Sequence, residues 1–182
     1  MILARAEILK ALQAGRVVMD PAPADEAIDT TSMDLHLGSG LWVWTAPPLR
    51  GPLPVEVTDF DYHAFARENL SEVTPDAEGG YVLQPQTVYL GETLERIQFP
   101  AASRLAGRVE GKSLLARLGL MVHMTAPLIH CGTPLSAITL EMVNLGPYPL
   151  RVQPGKTRIC QLLLEEVSSA PEDRTGHTFP ES

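Results

Sequence analysis

Two short stretches of this sequence carry charged and hydroxyl side chains of the kinds used in phosphate binding and proton transfer. Residues 106–113, AGRVEGKS, end with Lys112 and Ser113 and fit the loose pattern of a phosphate-binding loop. Residues 137–144, AITLEMVN, alternate apolar and polar positions, and Glu141 shares its polar face with a threonine. A cation beside a hydroxyl suits a phosphate group, and a carboxylate on a strand can move protons. Taken alone, however, a lysine in a turn and a glutamate on the polar face of a strand are more often solvated side chains than functional groups.

The setting of the first stretch disfavours an ATPase. A nucleotide-hydrolysing loop of this kind lies between a buried parallel strand and a helix, in a βαβ unit. Residues 104–110, RLAGRVE, instead alternate charged and apolar positions, which is typical of a half-exposed antiparallel strand. On pattern alone, GKSLLARLGL is a turn followed by one helical turn, with Leu114, Leu115 and Leu118 in the core.

Composition limits the class of protein. A chain of 182 residues with 45% hydrophobic and 20% charged residues can form one globular domain, which we assign to residues 1–182. A net charge of −8 without a basic run disfavours nucleic acid but leaves a small phosphorylated ligand possible. The sequence has no run of ~20 apolar residues that could span a membrane. Cys131 and Cys160 are not a CxxC pair and are expected to be buried thiols, so we expect a cytoplasmic protein.

Hydrophobic periodicity predicts a mostly β fold. A short helix is expected within residues 2–14, ended by Gly15, followed by a strand over 33–37 and a Gly-Ser-Gly turn at 38–40. Residues 45–80 form an excursion in which only 59–70 is helical. Short strands separated by Gly and Pro follow from Tyr81 onward, which indicates an all-β barrel or sandwich. The polar tail from 168 to 182 is expected to be mobile.

The wider sequence resembles the dCTP deaminase family. The resemblance is carried by EGKSLLARLGLMVHMTAPLIHCG, AITLEMVNLG and VQPGKTRICQLLLEE, and by GRVVMDPAPADEAIDTTSMDLHLG near the N-terminus. It implies a dUTPase-like distorted β-barrel with a short N-terminal helix, a fold shared with the trimeric dUTPases. It also implies a homotrimer with active sites at the subunit boundaries.

The same resemblance implies the roles of particular residues. Glu141 falls where the family carries the glutamate that activates water, and Ser113 and Arg117 match the other catalytic positions. Two positions depart from the usual pattern, since Leu114 replaces a second serine and His130 replaces an aspartate. The residues implied in substrate binding are Lys112, Leu114, Ala126, His130, Thr139, Arg158 and Gln161.

The implied reaction is the hydrolytic deamination of dCTP to dUTP and ammonia, which would supply dUMP for thymidylate synthesis. Zinc deaminases carry His/Cys-x-Glu and Pro-Cys-x-x-Cys signatures, and nothing in this sequence fits them. We therefore expect no metal in the chemistry and Mg²⁺ only as the companion of the triphosphate. The resemblance also implies feedback inhibition by dTTP.

Three alternatives stay open at this point. The protein could be a bifunctional dCTP deaminase and dUTP diphosphatase. The imidazole of His130, however, cannot replace the carboxylate that orients the water attacking the α-phosphate. It could act on a modified cytosine nucleotide. It could also be a nucleotide-binding regulator with weak catalysis, which the departures at Leu114 and His130 would suit.

Overall fold

The computed structural model describes residues 1–45 and 54–169 of the chain. The predicted tail beyond residue 169 therefore lies outside the described residues. The helices are α1 (Arg5–Gln13), α2 (Tyr62–Asn69) and α3 (Ser113–Arg117). The strands are β1 (Val18–Asp20), β2 (Met33–Trp44), β3 (Leu70–Glu72), β4 (Tyr81–Leu83), β5 (Val88–Gln98), β6 (Leu105–Gly111), β7 (Leu120–Met121), β8 (Leu128–Ile129), β9 (Ser136–Asn144), β10 (Leu150–Val152) and β11 (Arg158–Glu166).

The N-terminal helix forms where the apolar spacing predicted it. Ile8 and Ala11 of α1 are buried, and Leu9 and Leu12 pack against the same core. The helix ends before Gly15, whose φ of +65° lies in the left-handed region that a glycine adopts at little cost. Helix α2 likewise falls inside the one segment of the excursion that was predicted to be helical.

Antiparallel pairing builds the fold and confirms the all-β class. Seven strands follow the order β7-β9-β5-β2-β11-β6-β8, with β1 added to β5 and β3 added to β2. Strands β4 and β10 form a separate antiparallel pair. The large sheet curls into a distorted half-barrel around one hydrophobic core. The largest fully buried side chains in that core include Phe99, Ile8, Met33, Leu35, Leu37, Leu41, Leu83 and Leu105.

The predicted Gly-Ser-Gly turn at 38–40 is wrong. Strand β2 runs without interruption through these residues, and its pairing with β5 changes register between Leu37 and Leu41. Leu37 pairs with Thr93 and Leu41 with Gly91, so three residues of β2 lie opposite one residue of β5. The glycines thus form a bulge that bends the strand instead of ending it.

Strand β6, which precedes Lys112, pairs antiparallel with both β11 and β8. It therefore lacks the parallel βαβ environment of a nucleotide-hydrolysing phosphate loop, as the alternating pattern predicted. Separately, none of the helices in the described ranges is long and apolar enough to cross a membrane.

Candidate active site

A buried aspartate lies between the two cations that were assigned to phosphate. The Lys112 ammonium donates a hydrogen bond to Oδ1 of Asp34, and Nη1 of Arg158 lies 3.3 Å from Oδ2. The Asp34 side chain is only 8% exposed, so each of its two oxygens is occupied by a cation in a poorly solvated place. This arrangement fixes the directions of both cationic side chains.

Strand β11 brings these groups together. It lies between β2 and β6 and begins at Arg158. Lys112 directly follows the end of β6. Gln161 lies further along β11, where its Nε2 donates to the carbonyl of Gly111 at 3.1 Å. Its Oε1 accepts from the hydroxyl of Ser32 at 3.0 Å. The amide of Gln161 thus ties the loop beside Lys112 to β11 and to the segment before β2.

The short helix α3 carries Ser113, Leu114 and Arg117, all of which are exposed. The expectation from pattern alone that Leu114 and Leu118 lie in the core is wrong, because they are 68% and 46% exposed. Only Leu115 packs against the core, because a single helical turn presents one narrow stripe to it. Within the described residues, Ser113 and Arg117 have no side-chain hydrogen bond or ion pair.

A close contact between two glycines fixes the end of α3. A Cβ at Gly119 would lie 2.3 Å from the nitrogen of Gly146, and a Cβ at Gly146 would lie 2.0 Å from the carbonyl oxygen of Leu118. Gly119 also has a φ of +93°, which a side chain disfavours. The backbone N–H of Leu145 donates to the carbonyl of Gly119 at 2.8 Å. Helix α3 is therefore held against the turn that follows β9.

The alternating pattern correctly predicted the two faces of β9. Leu140 and Met142 are fully buried, whereas Thr139 is exposed and Glu141 is half-buried on the opposite face. Glu141 pairs with the buried Leu90 of β5, so the carboxylate stands beside an apolar neighbour. Among the described residues, no donor bonds to this carboxylate. It is therefore free to bind water or a ligand.

The remaining predicted residues lie around the short strand β8. Ala126 is exposed in the connection between β7 and β8. The carbonyl of the next residue, Pro127, accepts a hydrogen bond from the backbone N–H of Val109 at 2.9 Å. His130 directly follows β8 and is exposed. Both residues thus stand at a surface edge where a ligand could approach.

A second buried acidic group was not foreseen from the sequence. Glu95 accepts hydrogen bonds from the backbone N–H of His36 at 2.8 Å and from its ring Nδ1 at 2.7 Å, and its side chain is 6% exposed. Next to it, burial raises the pKa of the Cys160 thiol to about 12, and the nearby carboxylates of Glu95 and Asp34 add to the effect. Cys160 is thus a protonated core thiol, as expected.

The chain brings some predicted residues together and leaves others apart. Lys112, Arg158 and Gln161 meet around β11, whereas no hydrogen bond or ion pair in the described ranges joins Glu141 to Ser113 or Arg117. Asp34 is the main candidate that the sequence pattern did not reveal. The sequence feature that could have indicated it is an acidic residue between two apolar residues, Met33 and Leu35, of β2.

Within residues 1–45 and 54–169, no cluster of three or more His, Cys, Asp or Glu side chains could hold a metal ion. Both oxygens of Asp34 are already engaged by cations.

Comparisons with known proteins identify a consistent set of relatives. Residues 2–167 match the family described as dCTP deaminase-like. The "dCTP deaminase, dUMP-forming" of Methanosphaera stadtmanae is 33% identical over 97% of this chain and 84% of its own length. The "dCTP deaminase" of Rhodospirillum rubrum is 36% identical over 93% of this chain and 84% of its own length.

A solved structure shares the fold. The 2'-deoxycytidine 5'-triphosphate deaminase from Agrobacterium tumefaciens superposes with a TM-score of 0.66 at 23% sequence identity. The match covers 90% of this chain and 47% of that chain. This similarity confirms the fold that the sequence resemblance implied.

Proposed function

Because this chain belongs to the dCTP deaminase-like family, we propose that it is a dCTP deaminase that converts dCTP and water to dUTP and ammonia. The dUTP formed would then supply dUMP for thymidylate synthesis. The observation that carries the proposed mechanism is the half-buried carboxylate of Glu141, which no donor satisfies among the described residues.

In the proposed reaction Glu141 takes a proton from water, and the water oxygen forms a bond to C4 of the cytosine ring. The same carboxyl group passes that proton to N3, so the ring carries no net charge after the attack. A second proton from the added hydroxyl then goes by way of Glu141 to the exocyclic nitrogen. The C4–N4 bond breaks, ammonia leaves, and a carbonyl forms at C4. A single carboxylate can carry both transfers because it alternates between base and acid.

The triphosphate is proposed to bind beside the start of β11 and the helix α3, where cationic and hydroxyl side chains lie. Lys112 and Arg158, oriented by Asp34, would contact phosphate oxygens, and Gln161 would hold the neighbouring loop in place. Ser113 and Arg117 have exposed, unengaged donors on α3 within the described part of the chain, which suits contacts to phosphate and to the catalytic water. Leu114 offers no such donor, so the helix provides one hydroxyl where the family pattern has two.

The base and sugar are proposed to lie between β9 and the edge near β8. Thr139 shares the face of Glu141, and the backbone around Ala126, itself an exposed residue, is proposed to pair with the base. His130, exposed after β8, would contact the sugar. Mg²⁺ would enter as the companion of the triphosphate, and the chemistry proposed here uses only protein side chains and water.

A homotrimer with sites at its subunit boundaries is part of this proposal. It is supported by large apolar side chains that stay exposed on and after α3, namely Leu114, Leu118, Met121, Met124 and Leu128. Covering them with another copy would also bring further groups to Glu141, which has no protein partner within the described chain. Inhibition by dTTP would be tested as a fall in ammonia release on its addition.

A second function differs from the first in the nucleotide that is released as product. One relative is named "dCTP deaminase, dUMP-forming", so a bifunctional deaminase and diphosphatase is the alternative. We propose dUTP as the product because His130 lacks the carboxylate needed to orient water at the α-phosphate.

The experiment is to incubate the protein with dCTP and Mg²⁺ and to quantify ammonia, dUTP, dUMP and pyrophosphate. Ammonia and dUTP in equal amounts would support the proposal, and dUMP with pyrophosphate would support the bifunctional alternative. A modified-cytosine deaminase would act faster on such a nucleotide than on dCTP. Tight dCTP binding without ammonia over hours would identify a nucleotide-binding regulator.

A further inference from the structure

Two bulges lie side by side in neighbouring strands, next to the strand that carries Glu141. In β2 the extra residues are at 38–40, as described above. In β5 the pairing with β9 also changes register, because Glu92 pairs with Thr139 and Arg96 with Ala137. Two neighbouring strands therefore both leave regular pairing at the same place in the sheet.

The paired bulges open a recess beside Thr139. Its volume is about 410 Å³, and its lining includes Gly38, Ser39, Glu92, Arg96, Ser136 and Thr139. Most of these residues are polar, and the space is large enough to take part of a nucleotide. Because Thr139 lines the recess and shares a face of β9 with Glu141, the recess continues that face.

Glu92 is the acidic group of this recess. It shares a sheet face with Glu141, because Glu92 pairs with Thr139 and Leu90 pairs with Glu141 in the same ladder. Diagonal neighbours of this kind lie roughly 7–8 Å apart along the sheet, so one ligand on this face could contact both side chains. The Glu92 side chain crosses over Gly38, where an added Cβ would lie 3.0 Å from Glu92 Cγ. Glu92 is half-buried, and within the described residues it has no hydrogen-bond or ion-pair partner.

We propose that Glu92 is a specificity-determining residue that accepts a hydrogen bond from the exocyclic amino group of the cytosine ring. This inference rests on the proposed function, in which Glu141 acts at C4, the ring atom that bears this amino group. The amino group is the hydrogen-bond donor at that edge of cytosine, whereas a 4-oxo pyrimidine presents an acceptor there. A carboxylate thus binds the substrate and repels the product.

The consequence is discrimination between dCTP and dUTP at the binding step. A site built to accept from an N–H group rejects an analogue that lacks it, because the buried acceptor is then left unpaired. Replacement of the amino group by oxygen would also place the new carbonyl against Glu92, which would promote release of dUTP.

The test measures nucleotide binding to the full-length Glu141→Gln protein, in which turnover is blocked, with and without Glu92→Gln. The added Glu92→Gln change is expected to weaken dCTP binding by about tenfold to a hundredfold while leaving dUTP binding unchanged or tighter. Glu110→Gln, a half-buried glutamate of β6, is the matched control and should change neither affinity.

Two results would overturn the inference. One is an equal change for dCTP and dUTP, or no change for either, in a protein that melts at the parent temperature. The other is an effect confined to 5-hydroxymethyl-dCTP, which would place Glu92 at ring position 5. If Glu92→Gln does not fold, Glu92→Asp keeps the charge but shortens its reach and should reduce the same dCTP to dUTP preference. Ammonia release by the parent protein tests the proposed function separately.

Discussion

Lys112 and Asp34, which are 78 residues apart in the sequence, form an ion pair that joins the end of β6 to β2. Arg158 approaches the other oxygen of the same carboxylate. The pair is therefore a structural link as well as part of the proposed phosphate site. Since the aspartate is almost fully covered, removing either partner would leave buried polar groups without a counter-charge.

Replacing Asp34 by asparagine is expected to lower the free energy of unfolding by about 1–3 kcal/mol, because two cations lose a buried counter-charge. Urea unfolding of both proteins would measure the difference. Asp25→Asn is the matched control, because Asp25 pairs with Arg5 but is 82% exposed, and a change below about 1 kcal/mol is expected there. Equal losses in the two variants would contradict the structural role of Asp34.

The contact between Gly119 and Gly146 gives a second prediction. Gly119→Ala is expected to cost on the order of 3–5 kcal/mol of stability, because the new methyl group meets backbone atoms at a strained φ. Gly15→Ala has a similar positive φ of +65° but nothing within 4 Å, so it should cost only about 1 kcal/mol. Thermal unfolding of the two variants separates steric clash from backbone strain. A Gly119→Ala protein as stable as Gly15→Ala would show that the close approach is not maintained in solution.

The two cysteines are expected to react very differently. Cys160 is fully buried with a pKa raised to about 12, whereas Cys131 is half-buried, less covered than expected from the sequence. Since the thiolate is the reactive form, iodoacetamide at pH 8 should label Cys131 well before Cys160 in the native protein. Mass spectrometry of peptides would measure both rates, and equal rates in folded protein would contradict the burial of Cys160.

The buried Cys160 thiol also makes the free energy of unfolding depend on pH. A native thiol pKa above its ordinary value of 9.0 means that the folded state holds the proton more tightly than the unfolded state. The contribution of Cys160 to stability is therefore complete below pH 9 and is lost as the pH rises toward about 12. Cys160→Ala should remove this alkaline dependence in unfolding measurements.

Local patterns predicted most of the fold. The helical spacing of Ile8 and Leu12 predicted α1, and the alternation around Glu141 predicted which face of β9 is buried. Such periodicities depend only on neighbouring residues and on a core beneath them. The family resemblance added the curled barrel, which the antiparallel order of the strands confirms.

The features that were missed depend on contacts between distant residues. Gly38 and Gly40 look like a turn in sequence, and only pairing with β5 shows that they form a bulge. Leu114 has the composition of a core residue but lies on the outer side of a one-turn helix. Asp34 could not be singled out, because its importance comes from Lys112 after β6 and Arg158 of β11, which are distant from it in the sequence.

Glu141 is proposed to activate the water that attacks cytosine, and the rate of ammonia release from dCTP by Glu141→Gln measures that role. The amide cannot accept the proton, so the rate should fall by at least about a hundredfold while the protein still binds dCTP. Glu72→Gln is the control, because Glu72 pairs with Trp42 in the same row of the sheet but is exposed. Full activity in Glu72→Gln with near-complete loss in Glu141→Gln would support the claim, and equal ammonia release by Glu141→Gln and the parent would contradict it.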